Sequence, residues 1–462
     1  MHLVGDLRRF LRSRARWDGL GIGLVVTATG AIGRWWVRNG GDPIFWNDSA
    51  DYVTSASTGL LSTARLVGGR PILMPLVLSV AQLDQQRFTV LQAAVAALSW
   101  GVLAAVVAVS TRSAPARATG VVGVLVLSLT WPVSMWDEQI LTESLALSTL
   151  ALVAASALWF SNRPSPRRAV ALVVTCGLWL VARDSHAVPV ALGGLVLVAL
   201  AARPRAPRQL LALTGAYLVA LSFLVAGSAQ AGERNLQPLE HVYAARVLPY
   251  ADRVSWFEAH GMPQARELEA IPEALDPVRD LAPFTPVPPE ARWAPWRAWL
   301  EDEGQATFLR YVATHPAYLV TETQARPERV FNNGDGLPTY EPRWRRDVPG
   351  VRWFATVDTD VVVAVWATAL LLVLLARDER RPLVAVGAFL GASSLPHALA
   401  VWHLDGMESA RHLLIPGIQL RIGTVLVLAA AADTVVAKIR GTGRSRPARS
   451  PDHPPARTPR RA

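Results

Sequence analysis

Runs of roughly 20 mostly apolar residues recur along this chain, and short arginine-bearing segments separate them. A helix needs about 20 such residues to cross the hydrocarbon core. With no water there, the backbone must bond within its own segment, so a chain built from these runs has helices as its spanning elements. Ten runs come near the required length, at residues 20–37, 88–110, 118–135, 139–160, 169–182, 187–202, 209–227, 359–376, 382–402 and 413–436. The expected fold is an all-α integral membrane protein with about ten transmembrane helices, in a range of roughly 9–12 because the fifth and sixth runs are short enough to be one broken hairpin. Composition agrees: 51% of the 462 residues are hydrophobic and 18% are charged, too few charges for an ordinary soluble protein.

The net charge of +10 is distributed as a topology signal. With the N-terminus in the cytoplasm, the segments 1–19, 111–117, 161–168, 203–208, 377–381 and the tail from 437 carry +3, +2, +3, +3, +1 and +7. Every one is positive, as the positive-inside rule requires. The opposite segments 38–86, 136–138, 183–186 and 403–411 carry −1, −2, 0 and −1. Both termini are therefore expected in the cytoplasm. No basic stripe interleaved with aromatics is present, so nucleic acid is not an expected partner; membrane lipids are.

Four regions follow: an N-terminal membrane domain 1–228 containing an external first loop 38–86, a polar extracytoplasmic region 229–357, membrane helices 358–440, and a basic, proline-rich tail 441–462 expected to be disordered. The region 229–357 holds 18 acidic residues against 14 arginines. It mixes helical apolar spacing with a proline-rich connector, "IPEALDPVRDLAPFTPVPPE", and should form a small, mainly helical domain or long loop. "RPILMPLVLSVAQLD" (70–84) is too short to span and is expected to lie on the external surface as a juxtamembrane helix. The basic residues are all arginine except Lys438, a bias of GC-rich genomes that points to a bacterium and its plasma (inner) membrane. The single cysteine, Cys176, lies in an apolar run and builds neither a disulfide framework nor a thiolate metal site.

Ionisable residues collect at the external ends of the spans, where they are expensive and hence candidates for function. Asp48 and Asp51 follow the first span in "IFWNDSADYVTSAS"; Asp137, Glu138 and Glu143 lie in "MWDEQILTESLALS"; Arg183, Asp184 and His186 sit between spans five and six; His397, His403, Asp405, Glu408, Arg411 and His412 surround the start of the last span. Carboxylates there can act as a general base or hold a divalent cation. Arginines can neutralise a phosphate through a bidentate fork. Ordinary readings stand beside these: "NDSAD" is rich in helix cap formers, Glu143 can cap its own helix, and Arg70, Arg183 and Arg411 can be snorkelling residues. Histidines and carboxylates this far apart in sequence do not build a metal site by spacing, so none is assigned and no cofactor is expected beyond a possible divalent cation. The sequon at Asn47 has no role in a bacterial reading.

The order of a cytoplasm-to-outside span, an external D-x-x-x-Y loop (Asp48 to Tyr52), "RPILMPL", "LTESLAL" at the head of a later span and "ESARHLLIPG" before the last span resembles the GT-C superfamily of polyprenyl-phosphate-sugar glycosyltransferases. More narrowly it looks like the bacterial relatives of protein mannosyltransferases and of the aminoarabinose transferase. The resemblance implies an inverting transfer from a polyprenyl-phosphate-linked sugar to a cell-wall glycan, lipid or protein acceptor outside the cytoplasm. It makes Asp48 the base, with Asp51 as its possible helper. Tyr52, Arg70, Glu143, Arg183, Glu408, Arg411 and His412 then bind substrate or the donor phosphate. Where the family often has glutamate directly after the aspartate, this chain has Ser49. The rival expectation is a flippase or transporter for lipid-linked sugars, or a non-catalytic scaffold. A transporter is expected to show related halves and broken helices meeting at mid-membrane, whereas here the unusual charges cluster at one surface and no two-fold repeat is visible.

Overall fold

The computed structural model describes residues 2–38, 40–58, 62, 68–204, 206–264, 294–325, 340, 345–346, 348, 351, 357–376, 381–404 and 409–442. Helices carry the architecture, and the extended backbone among the described residues forms one isolated parallel bridge between Ile44 and Gln139. Seven helices are long and apolar enough to cross a bilayer, or eight if the bent pair Ala114–Leu129 and Trp131–Glu138 forms one span.

The longer apolar helices are α1 (His2–Arg38), α4 (Gln85–Ser110), α5 (Ala114–Leu129), α6 (Glu143–Asn162), α7 (Pro166–Leu180), α8 (Ala187–Ala201), α9 (Arg208–Ala231), α15 (Thr359–Leu375), α16 (Arg381–Leu404) and α17 (Ser409–Thr442); the described residues of the first loop include two short helices, α2 (Asn47–Ser57) and α3 (Leu73–Val80). Each of the ten apolar runs falls on a helix. Helices α7 and α15 have only 15 and 17 residues, α8 reaches spanning length only with the turn from Asp184, and α5 only with its bent continuation, so the full-length count is lower than the ten expected. The run 70–84 yields only the eight residues of α3, too short to span.

Two boundaries differ from expectation for visible reasons. The third run ends at Leu129 and turns by 58°; Thr130 is extended there, and Pro132 lacks the amide that a continuing helix would use. The fourth helix begins at Glu143 rather than at 139. The Ile44 amide donates to the Glu138 carbonyl at 2.9 Å and the Ile140 amide to the Ile44 carbonyl at 3.0 Å, so the residues before Glu143 are held in the bridge.

Helix α6 is the centre of the bundle. Its buried residues run round all its faces, from Leu145 and Leu147 to Leu150, Ala154 and Leu158, as expected of a helix enclosed by others. Helix α4 packs between α1 and α6, and α17 lies against α5, α15 and α16. Helices α8 and α9 touch through glycine: a Cβ on Gly194 would lie 2.7 Å from the Gly215 carbonyl oxygen, and one on Gly215 would lie 2.5 Å from that of Gly194. Exposed Leu213, Phe223, Leu224 and Leu375 suit a surface facing lipid.

Between α9 and α15 the described residues form α10 (Leu236–Arg246), α11 (Ala251–Glu258), α12 (Ala294–Trp299), a π-helical turn, α13 (Gln305–Thr314) and α14 (Ala317–Ala325). They enclose an aromatic core of Tyr243, Phe257, Trp296, Trp299, Phe308 and Tyr311, with the Tyr243 hydroxyl donating to the Gly304 carbonyl at 2.8 Å. This helical unit meets the end of α16, where the Arg246 guanidinium lies 4.1 Å from the centroid of the Trp402 ring. The proline-rich connector and most of the basic tail are outside the described residues.

Candidate functional site

One end of the bundle gathers the first loop, the N-termini of α6 and α17, and the turn between α7 and α8. The first loop is fixed there by Ser49, which is fully buried. Its hydroxyl accepts from the Trp46 amide at 2.9 Å and donates to the Ile140 carbonyl at 2.8 Å. The Trp46 indole donates to Gln139 Oε1 at 2.9 Å, while Gln92 Nε2 donates to the carbonyls of Trp136, Asp137 and Gln139. These bonds attach α2 to the segment leading into α6, so Asp48 and Glu143 have a shared, rigid base.

Six of the sequence-selected residues form one chain of ion pairs. Arg70 Nη2 lies 2.6 Å from Asp51 Oδ2 and 2.9 Å from Asp48 Oδ1. The other Asp48 oxygen lies 3.0 Å from Arg411 Nη2. Arg411 Nε lies 2.9 Å from Glu143 Oε1, which is 3.2 Å from Arg183 Nη1. Exposure falls along this chain: the Asp51 side chain is 62% exposed, Asp48 26% and Glu143 0%. Tyr52 is buried beneath it, with the Arg70 guanidinium 5.2 Å from its ring centroid. His412 lies close enough to Asp48 to favour its ionised form. Glu408, the remaining selected residue, is outside the described residues.

The electrostatics follow from these distances. Burial by itself would raise the Asp48 carboxyl, but Arg411 and Arg70 outweigh burial and hold it well below the usual aspartate range. Burial opposes the charge on Arg70 as well; Tyr52, Asp48 and Asp51 outweigh it and raise the guanidinium further. Asp48 is thus an ionised carboxylate with one guanidinium on each oxygen. Among the described residues of this chain of contacts, three carboxylates face three guanidiniums.

The other polar residues of this end have separate partners. Asp137 pairs with Arg34 at 2.7 Å and accepts from the Ser144 hydroxyl at 2.5 Å. His186 and His397 are buried beneath the chain with Trp179, their ring centroids 5.6 Å apart. The Nδ1 of His186 meets the Trp179 carbonyl and that of His397 meets Gln419 Oε1, so each Nδ1 carries the proton. His403 lies against Tyr318. No group of three or more His, Cys, Asp or Glu side chains among the described residues is arranged to hold a metal.

Sequence reasoning missed Arg234. Its Nε and Nη2 bind the two oxygens of Asp184 at 2.9 and 3.0 Å, and its Nη1 donates to the Gly68 carbonyl at 2.9 Å. Arg234 therefore ties the turn that carries Arg183 to the loop that carries Arg70. Nothing local in "AGERNL" distinguishes it from an arginine at the end of a span.

No protein-family model, curated protein or solved structure matches this chain.

Proposed function

We propose that this chain is a membrane glycosyltransferase of the GT-C kind, moving a sugar from a polyprenyl-phosphate donor to an acceptor hydroxyl. In this reading ten helices span a bacterial plasma membrane, α7 and α15 as short or tilted crossings, with both termini in the cytoplasm and the ion-pair chain at the outer face. The observation that carries the proposal is that chain: a carboxylate with partial solvent access sits directly between two arginines, 2.9 and 3.0 Å away. General-base attack with an anionic leaving group needs that combination of groups.

Asp48 takes the proton of the acceptor hydroxyl, and the resulting oxygen attacks the anomeric carbon from the face opposite the phosphate. The new carbon–oxygen bond forms as the bond from that carbon to the phosphate oxygen breaks. The departing electron pair stays on the polyprenyl phosphate, whose negative charge Arg411 and Arg70 stabilise through charge-assisted hydrogen bonds. The anomeric configuration inverts. Glu143 holds Arg411 and Arg183 in place, and Asp51 holds Arg70. The acceptor is a hydroxyl of a cell-envelope glycan, a lipid or a protein.

The test is Asp48→Asn in native membranes, assayed for release of polyprenyl phosphate from a radiolabelled lipid-linked sugar pool. Loss of a general base lowers turnover by about 10²–10⁴-fold. Wild-type turnover by a variant that is inserted and folded would refute the assignment.

A further inference from the structure

Asp48, the proposed base, is poorly suited to that role as it stands, because both of its oxygens are engaged by guanidiniums. The pattern of shared partners shows how it becomes available. Arg70 contacts Asp51 as well as Asp48, and Arg411 contacts Glu143 as well as Asp48. Asp48 is the carboxylate common to both arginines, so it can leave both without stripping either of a carboxylate partner. Release of Glu143 would instead leave Arg183 without its ion pair, at a site where Glu143 is fully buried. An unpaired buried charge is strongly destabilising. Among the described residues Asp51 holds one arginine, Arg70, and it is mostly exposed, so its release would leave Asp48 as fully engaged as before.

We propose that the donor's phosphate is what frees the base: it takes the guanidinium N–H groups of Arg411 and Arg70 that Asp48 holds, and Asp48 becomes a competent proton acceptor only in the donor complex. This rests on the glycosyltransferase reading and adds an obligatory order to it, donor before acceptor. The donor's phosphodiester matches the two charged oxygens and the unit charge of the carboxylate it displaces, and the polyprenyl phosphate released from it offers three oxygens and more charge. The exchange keeps each arginine neutralised throughout, by Asp51 or Glu143 on one side and by phosphate on the other. The charged and titratable groups facing Asp48 are Asp51 and Tyr52 from α2, Arg70 from the following loop, Glu143 from α6, and Arg411 and His412 from α17. Of these, the two arginines hold its oxygens, so their withdrawal governs its basicity.

The experiment uses the full-length protein in lipid nanodiscs and dicyclohexylcarbodiimide, which modifies protonated carboxyls and leaves carboxylates alone. Modified peptides are quantified by mass spectrometry at mildly acid pH, with undecaprenyl phosphate, undecaprenol or inorganic phosphate added. Native mass spectrometry measures lipid binding in the same samples. Undecaprenyl phosphate should increase Asp48 modification about tenfold for each pH unit by which its carboxyl rises when the arginines turn away. Undecaprenol should not increase it. The same increase with inorganic phosphate would support release and show that the headgroup suffices without the lipid. Arg411→Gln and Arg70→Gln should each raise modification without any ligand.

Bound undecaprenyl phosphate with unchanged Asp48 modification would overturn the release while leaving the enzyme reading standing. Failure of the lipid phosphate to bind would overturn the donor assignment itself, and the release with it. An equal rise with undecaprenol would show that lipid occupancy, not phosphate, moves the carboxyl, and would overturn the proposal.

Discussion

Glu143 gives the sharpest test of the ion-pair chain, because two arginines depend on one of its oxygens. Arg411 Nε and Arg183 Nη1 lie 2.9 and 3.2 Å from Glu143 Oε1, with no part of the Glu143 side chain exposed. At 3.2 Å and an effective dielectric near 20, the gross attraction between unit charges is about 5 kcal/mol. Desolvation consumes much of it. Breaking a buried pair by neutralising one partner typically costs about 3–5 kcal/mol. Glu143→Gln keeps an oxygen acceptor in the same place, so its expected loss of stability is near the lower figure, about 3 kcal/mol. Arg183→Gln leaves Glu143 paired with Arg411 and removes one hydrogen bond to a charged group, an expected loss of about 1.5–3 kcal/mol. The double variant no longer contains the Arg183 charge that Glu143→Gln strips of its carboxylate partner. A double-mutant cycle should therefore give a coupling of about 1–3 kcal/mol. The measurement is denaturation in mixed micelles followed by the fluorescence of the 17 tryptophans, with the four proteins compared at one lipid-to-detergent ratio. Losses that add to within about 0.5 kcal/mol would refute the argument that these groups are one electrostatic unit.

Three further outcomes are expected. The folded-state depression of the Asp48 carboxyl makes a contribution to stability that is complete above its ordinary value of 3.8 and is lost as pH falls toward its folded value; acid titration of Asp48→Asn should show a smaller loss below about pH 4 than the wild type, and coincident titrations would count against the paired carboxylate. Ser49→Ala leaves the Trp46 amide and the buried Ile140 carbonyl without that hydroxyl and should lower stability by about 1–3 kcal/mol, whereas Ser49→Glu, the residue the family pattern favours, places a carboxylate against the Ile140 carbonyl and should fail to accumulate in membranes. Gly215→Val forces α8 from α9, where even a Cβ meets the Gly194 carbonyl at 2.5 Å, and should cost about 1–3 kcal/mol and increase crosslinking access at that seam; unaltered thermal denaturation would show the helices to be looser than described.

What could be read from the sequence, and what could not, divides along a physical line. Spanning helices and the gathering of ionisable residues at one end are consequences of transfer out of water, a local cost that each residue meets on its own. That is why Asp48, Asp51, Arg70, Glu143, Arg183 and Arg411 could be selected from positions spread over more than three hundred residues and then meet in one chain of contacts. Which carboxylate faces which guanidinium is a property of packing, and the apolar periodicity carries no trace of it. Asp137 illustrates the limit, since it sits six residues before Glu143 yet pairs with Arg34 in a different cluster. Ser49 illustrates it from the other side. As a departure from the family pattern it suggested a missing acid, while its hydroxyl, bonded to Trp46 and Ile140, is what sets Asp48 on a rigid foundation. An additional carboxylate in that position would be buried against the Ile140 carbonyl, away from the guanidiniums that balance Asp48. The serine therefore serves as an anchor and not as a missing acid, and it holds Asp48 where, among the described residues, three acids face three arginines and a phosphate can replace Asp48 while Arg70 keeps Asp51 and Arg411 keeps Glu143.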